Sequence, residues 1–187
     1  MGFSLSLPPP GVQALLLTLV LGAAVFDVRY RRIPNWITVG GVIAGLAMNW
    51  FLDQGRPGLF RSALAGLGLA FGIYVALYAL HAMGAGDVKL MAAVGAVVGW
   101  ENWFGIFIAT ALVGGVMSLI LISSRGRVRK TLFNVGFILD EMKHLRPAYL
   151  TNEELDVKNK KALGLPHGAV IAVGTLFFLA LSAYFTR

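Results

Sequence analysis

Long apolar stretches fill most of this chain, and short polar turns separate them. Each stretch approaches the roughly 20 apolar residues that an α-helix needs to cross a bilayer. The pattern therefore predicts an all-α fold, a polytopic membrane protein built as a bundle of about six transmembrane helices. The predicted spans cover residues 11–26, 36–52, 60–83, 84–103, 104–122 and 166–185, the fourth starting at Gly84 or Asp87.

The division between the fourth and fifth spans rests on a short polar interruption. Trp100, Glu101, Asn102 and Trp103 follow one another there. Tryptophans beside polar residues are typical of the aromatic belt at a membrane surface. We therefore expect one helix to end, and the next to begin, near the surface at this point.

The composition agrees with a membrane protein and excludes other classes. Hydrophobic residues make up 57% of the 187 residues and charged residues only 13%, where soluble domains average about 25% charged. A soluble domain of this size leaves too much surface in water to hide so many apolar side chains, and disorder requires low hydrophobicity. The chain has no cysteine, which excludes disulfides, cysteine-bound zinc and thiol catalysis.

Basic residues lie mostly on one side of the predicted membrane. The connections after spans one, three and five hold 13 of the 16 Lys and Arg residues. By the positive-inside rule this side is cytoplasmic, which leaves the N-terminus and the C-terminus outside. The net charge of +7 thus reflects topology, with no nucleic-acid partner expected. The first ten residues lack the basic region of a signal peptide, so span one is expected to be retained.

The longest polar connection covers residues 123–165. Its apolar residues repeat at helical spacing, which predicts an amphipathic helix on the cytoplasmic leaflet. No boundary to a second domain is visible, so residues 1–187 are expected to form a single membrane-embedded domain that includes this loop. The apolar positions of the predicted helix include Val128, Leu132, Val135, Met142 and Leu145.

Two of the nine carboxylates, Asp27 and Asp87, stand apart from the seven in polar connections. Both fall at predicted cytoplasmic helix ends, where a carboxylate is costly unless it is paired or used. Each also has a purely structural explanation. Asp27 could form an ion pair with Arg29, Arg31 or Arg32, and Asp87 could be the N-cap residue of span four. Two such residues on the same membrane side favour a functional interpretation.

Two neighbouring carboxyls can carry out acid–base chemistry without a metal or a nucleophile. Like charges held close together share one proton, so one group can take a proton from water while the other gives one to a carbonyl oxygen. No serine-hydrolase motif is present. The three histidines, His81, His144 and His167, lack the spacing of zinc ligands. We therefore expect peptide hydrolysis with no cofactor and no metal.

Three short motifs closely resemble those of the type IV prepilin peptidases, the GxGD-type intramembrane aspartyl proteases. The first is Asp27 followed by Ile33-Pro34-Asn35, the second is Gly84-Ala85-Gly86-Asp87-Val88-Lys89-Leu90, and the third is Leu165-Pro166-His167-Gly168-Ala169-Val170. The resemblance extends over nearly the whole chain.

The resemblance implies that Asp27 and Asp87 form the catalytic dyad, with Gly84 and Gly86 shaping the active-site turn. It implies an endopeptidase of the bacterial cytoplasmic (inner) membrane that works at the cytoplasmic face. Its substrate is a type IV prepilin or pseudopilin, which has a basic leader and an apolar helix. Pro34, Asn35, Lys89 and His167 belong to the motifs without an assigned role.

The chain departs from the family pattern in two respects. Bifunctional members carry an extra cytoplasmic domain, often with paired cysteines, and methylate the new pilin N-terminus. This chain resembles instead the short, peptidase-only form of tight-adherence (Flp) pilus systems, so no methyltransferase activity is expected. At position 167 a histidine replaces the usual tyrosine.

Two non-protease hypotheses use the same residues differently. In a transporter or proton channel, Asp27 and Asp87 would relay protons, although no chain of polar residues crosses the predicted bilayer. In a non-catalytic scaffold subunit of a pilus or secretion machine, residues 123–165 would be the docking surface. Replacing each aspartate by asparagine separates these hypotheses, because only the protease requires both carboxyls for peptide cleavage.

Overall fold

The computed structural model describes residues 7–55, 57–80, 83–126, 128, 129, 131, 133, 136 and 165–186. No β-strand occurs within these ranges. The helices are α1 (Pro10–Tyr30), α2 (Asn35–Asp53), α3 (Leu59–Ala79), α4 (Ala85–Ser124) and α5 (His167–Phe185). Each is long and apolar enough to cross a membrane, which confirms the prediction of an all-α, polytopic membrane protein. Most of the predicted amphipathic helix, including residues 137–164, lies outside the described residues.

Six transmembrane helices were expected, and the described residues form five helical elements, one of which contains a break. The predicted fourth and fifth spans both lie in α4, an element of 40 residues with non-helical backbone at Gly99. This break lies just before the polar residues Glu101 and Asn102, near which the division between the two spans was expected. Trp103 is fully buried and packs against Tyr74 and Phe107, so its expected place in an interfacial belt is wrong.

Gly99 divides α4 into two segments that run in opposite directions along α3. Its backbone has φ 79° and ψ 170°, a conformation that suits glycine. Before this residue, Gly95 packs against Gly66 of α3, and Gly99 itself lies against Ser62. After it, the rings of Trp103 and Phe107 contact Tyr74, which is further along α3. The chain therefore reverses at Gly99, and α4 crosses the bundle twice.

Asn49 of α2 stabilises this reversal from the side. A break in a helix leaves carbonyl groups without their usual partners. The buried Asn49 side chain donates hydrogen bonds from Nδ2 to the carbonyl oxygens of Ala96 at 3.1 Å and Val97 at 3.0 Å. These two carbonyls lie in the last turn before the break at Gly99, so a side chain from α2 holds α4 beside its reversal.

The two ends of the bundle differ in what they hold. At one end, α1 ends and α5 begins, since Gly168 contacts Asp27. At the other end, the turn between α2 and α3 is closed by a hydrogen bond from the Phe60 N–H to Asp53 Oδ1 at 3.2 Å. The chain approaches Asp27 along α1 and leaves it along α5. The first residues of α1 and the last residues of α5 therefore lie at the side of the bundle opposite the two motif aspartates.

Candidate active site

Asp27 lies on the last turn of α1. The helix ends at Tyr30, and Arg31 adopts a left-handed conformation with φ 53° and ψ 31°. The N–H of Arg31 donates to the main-chain carbonyl of Asp27 at 2.9 Å, an arrangement that commonly ends helices. The side chain of Asp27 is therefore carried by a regular helix right up to the edge of the bundle.

The first turn of α5 holds the Asp27 carboxylate. The N–H of Gly168 donates to Asp27 Oδ2 at 2.7 Å. A Cβ atom at residue 168 would lie 3.0 Å from Asp27 Cβ and 3.1 Å from Oδ2, so only glycine fits without displacement. Gly168 was quoted in a sequence motif but was not among the predicted site residues, because this contact depends on how two distant helices pack.

Asp87 is the third residue of α4 and points its carboxylate back to the start of that helix. Gly84 occupies the N-cap position, so the explanation of Asp87 as the N-cap itself is corrected. The N–H of Gly84 donates to Asp87 Oδ2 at 3.2 Å. Gly84 has φ −82°, which any residue can adopt. The small size of Gly84 is what matters, because a Cβ atom at residue 84 would lie 3.3 Å from Asp87 Oδ2.

Four titratable side chains from four helices converge at this end of the bundle. Asp27 of α1 and His167 of α5 both lie close enough to Asp87 of α4 to interact with it electrostatically. Tyr74 of α3 also interacts with Asp87 and is almost fully buried. The structure thus brings the two predicted aspartates together and adds Tyr74, which the sequence motifs do not mark.

The remaining motif residues connect α2 to α4. Pro34 is the N-cap of α2, with φ −64° and ψ 139°, and Asn35 is the first residue of that helix. Lys89 donates from Nζ to Asn35 Oδ1 at 2.9 Å. A Cβ at Gly86 would lie 3.5 Å from the Ile33 side chain, an ordinary contact. These contacts fix the loop after Asp27 against the first turn of α4.

An apolar groove of about 370 Å³ is lined by residues of α1 and α2. Phe26 lines it and directly precedes Asp27, and the Phe26 ring packs edge-on against Trp36. Within the part of the chain that the structure describes, no group of three or more histidine or carboxylate side chains is placed to hold a metal ion.

Comparison with known proteins identifies the family. The family described as "Type IV leader peptidase family" matches residues 14–119, more than half of the chain. The chain belongs to the type IV leader peptidase family. Five helices among the described residues are long and apolar enough to cross a bilayer, so this leader peptidase homologue is a multi-pass membrane protein. Membership in a peptidase family does not favour the transporter or scaffold hypotheses.

Several curated relatives carry the name prepilin leader peptidase/N-methyltransferase. The relative from Legionella pneumophila is 31% identical over 140 residues, which is 72% of this chain and 47% of the relative. The relative from Aeromonas hydrophila is 35% identical over 121 residues, or 61% of this chain and 41% of the relative. The relative from Myxococcus xanthus (strain DK1622) is 29% identical over 117 residues, which is 60% of this chain and 35% of the relative.

This leader peptidase homologue therefore spans about a third to a half of the length of these relatives. No solved structure matches it. The family match ends at residue 119, so it includes Asp27 and Asp87 but leaves out α5. The structure nevertheless places the first turn of α5, with His167 and Gly168, at the two aspartates.

Proposed function

We propose that this chain is an intramembrane aspartyl endopeptidase that removes the leader peptide of type IV prepilins or pseudopilins. The observation that carries the proposal is the approach of Asp27 and Asp87, which come from different helices and interact at one end of the bundle. Membership in the leader peptidase family supports peptide cleavage as the reaction that this pair performs.

The proposed mechanism uses the two carboxyls as one acid–base pair. One ionised carboxylate takes a proton from water as the water oxygen attacks the carbonyl carbon of the peptide bond. The other carboxyl, which is protonated, gives its proton to the carbonyl oxygen. The intermediate then collapses: the C–N bond breaks, the departing nitrogen receives a proton, and the carbonyl re-forms. The pair finishes with the one shared proton with which it began.

The surroundings of the two aspartates suit this role. Each carboxylate accepts one backbone N–H, from Gly168 for Asp27 and from Gly84 for Asp87. Such fixed donors hold a reacting group in place without any rearrangement during the reaction. Both donors also belong to first turns of helices or their caps, where N–H groups lack helical partners.

The proposal includes the membrane orientation and the substrate. In this proposal the aspartate end of the bundle faces the cytoplasm of a bacterium, at the inner membrane, with both termini outside; the excess of Lys and Arg in the connections at that end supports this orientation. The substrate's basic leader would meet the acidic pair there, and its apolar helix would remain in the bilayer. We expect peptidase activity without methyltransferase activity.

The decisive experiment is co-expression with a prepilin-type substrate, with cleavage followed by its change in size. Asp27→Asn and Asp87→Asn are each expected to lower the cleavage rate by at least about 1000-fold, within the range of acid–base catalysis. Asp53→Asn is the matched control, because Asp53 also accepts one backbone N–H but lies at the opposite end of the bundle. Full cleavage by either Asp27→Asn or Asp87→Asn, at wild-type membrane levels, would overturn the proposal.

A further inference from the structure

A cavity of about 470 Å³ opens at the end of the bundle opposite the two aspartates. It lies between the turn that precedes α3 and the reversal of α4. Its polar lining comes from Arg61 and Ser62 of α3 and from Trp100 and Glu101 of α4, which directly follow Gly99. A cavity of this size is large enough for a small ligand or for the headgroup of a larger one.

Two opposite charges line this cavity without neutralising each other. Arg61 and Glu101 are both exposed, and within the part of the chain that the structure describes neither forms an ion pair or a hydrogen bond with a protein group. The other carboxylate of this end, Asp53, is instead bound to the Phe60 N–H. A ligand that carries both charges would satisfy both side chains, since a guanidinium binds phosphate oxygens and a carboxylate accepts hydrogen bonds from an ammonium group.

The cavity lies at the depth of the lipid headgroups. Helix α3 has 21 residues and is therefore about 30 Å long, which is the thickness of the hydrocarbon core. Its first turn, with Arg61 and Ser62, thus lies at the membrane surface. Trp100 lines the same cavity and is exposed, and exposed tryptophans are enriched at this level of a bilayer. Zwitterionic phospholipids present a phosphate and an ammonium group there.

We infer that this cavity binds the headgroup of a zwitterionic phospholipid, with its phosphate at Arg61 and its ammonium group at Glu101. The Ser62 hydroxyl provides a further donor for the phosphate. Arg61 belongs to α3 and Glu101 to the second segment of α4, so a headgroup bound to both joins these helices just after the reversal at Gly99. Because the unfolded chain has no such cavity, bound lipid also stabilises the fold.

The test measures lipid binding to the full-length protein in detergent by native mass spectrometry. The probes are phosphatidylethanolamine, which carries both charged groups, and phosphatidylglycerol with the same acyl chains, which lacks the ammonium group. We expect the wild type to bind phosphatidylethanolamine about 10-fold more tightly, the gain typical of one hydrogen bond between charged groups. The same probes distinguish the two charged residues, since each is assigned to a different group of the lipid.

Two variants and a control follow from this assignment. Arg61→Gln should weaken the binding of both lipids by about 10-fold, whereas Glu101→Gln should weaken only the binding of phosphatidylethanolamine, by a similar factor. Arg125→Gln is the matched control and should bind like the wild type, because Arg125 is an exposed arginine at the far end of α4. Asp87→Asn should also bind lipid like the wild type, so failure of the proposed peptidase function would leave these results unchanged.

Equal affinity of the wild type for the two lipids would overturn the inference, and this comparison does not depend on the folding of any variant. Unchanged binding of phosphatidylethanolamine by Arg61→Gln or by Glu101→Gln would overturn it as well. Glycerophosphoethanolamine, which has the same headgroup without acyl chains, separates a membrane lipid from a soluble ligand. If it binds as tightly as phosphatidylethanolamine, the assignment to a lipid is wrong, and much weaker binding supports that assignment.

Discussion

Gly168 donates its backbone N–H to Asp27 Oδ2 at 2.7 Å, although 141 positions of sequence separate the two residues. The bond joins the first turn of α5 to the last turn of α1. It fixes one carboxylate from outside its own helix, and it leaves no space for a side chain at residue 168. A sequence element beyond the family match thus takes part in the geometry of the site.

Gly168→Ala tests this relationship. The added Cβ would lie 3.1 Å from Asp27 Oδ2, so the carboxylate must move, and small displacements of catalytic groups can cost about 100-fold in rate. We expect kcat to fall by about 10- to 100-fold with little change in KM. Gly115→Ala is the control, because a Cβ at Gly115 in α4 meets nothing within 4 Å. Equal kcat values for the two variants would contradict the positioning role.

Asn49 should matter for stability rather than for chemistry. Its side chain bonds to the carbonyls of Ala96 and Val97 at the reversal of α4, and a leucine of similar size would remove these buried hydrogen bonds. We expect Asn49→Leu to lower the free energy of unfolding by about 1–2 kcal/mol, which thermal unfolding in detergent would measure.

The matched control for Asn49 is Asn102→Leu. Asn102 makes a single, longer bond to the Val98 carbonyl at 3.4 Å and is only half-buried. Its replacement should lower the unfolding temperature much less. If the two variants unfold at the same temperature, the bonds from Asn49 do not stabilise the reversal.

The bond between Lys89 and Asn35 predicts coupled effects. It is 2.9 Å long and links α2 to the helix turn that carries Asp87. Lys89→Met and Asn35→Ala should each reduce kcat by about 3- to 10-fold, and the double variant should be no worse than either one. The expected coupling of about 0.5–2 kcal/mol is typical of residues in contact. Strictly additive losses would show that the two residues act independently.

The fold class could be predicted from the sequence because each membrane helix is recognisable from its own residues. Runs of apolar residues define membrane helices without reference to their neighbours, and four of the predicted spans match separate helices. The two motif aspartates could also be selected locally, since carboxylates at apolar helix ends are rare and costly. Their common membrane side followed from the alternation of spans.

The structure of α4 depended on packing that the local pattern does not encode. The first segment, residues 85–98, is about 21 Å long at 1.5 Å per residue, shorter than an ordinary span. Two contacts accompany the reversal at Gly99. Gly66 and Gly95 allow α3 and α4 to approach each other closely, and Asn49 of α2 bonds to the carbonyls of Ala96 and Val97. Tyr74 was missed for the same reason, as its apolar setting in α3 resembles that of any core aromatic residue.

A bell-shaped pH dependence of cleavage is the remaining prediction. The proposed reaction needs one ionised and one protonated carboxyl in the interacting pair Asp27 and Asp87. Protonation of both at low pH removes the base, and ionisation of both at high pH removes the acid, so the rate should fall on each side of an optimum. Steady-state cleavage measured from about pH 4 to 10 would test this, with helix content followed by circular dichroism to exclude unfolding. A rate that stays constant over this range, in a protein that remains folded, is incompatible with acid–base catalysis by the pair.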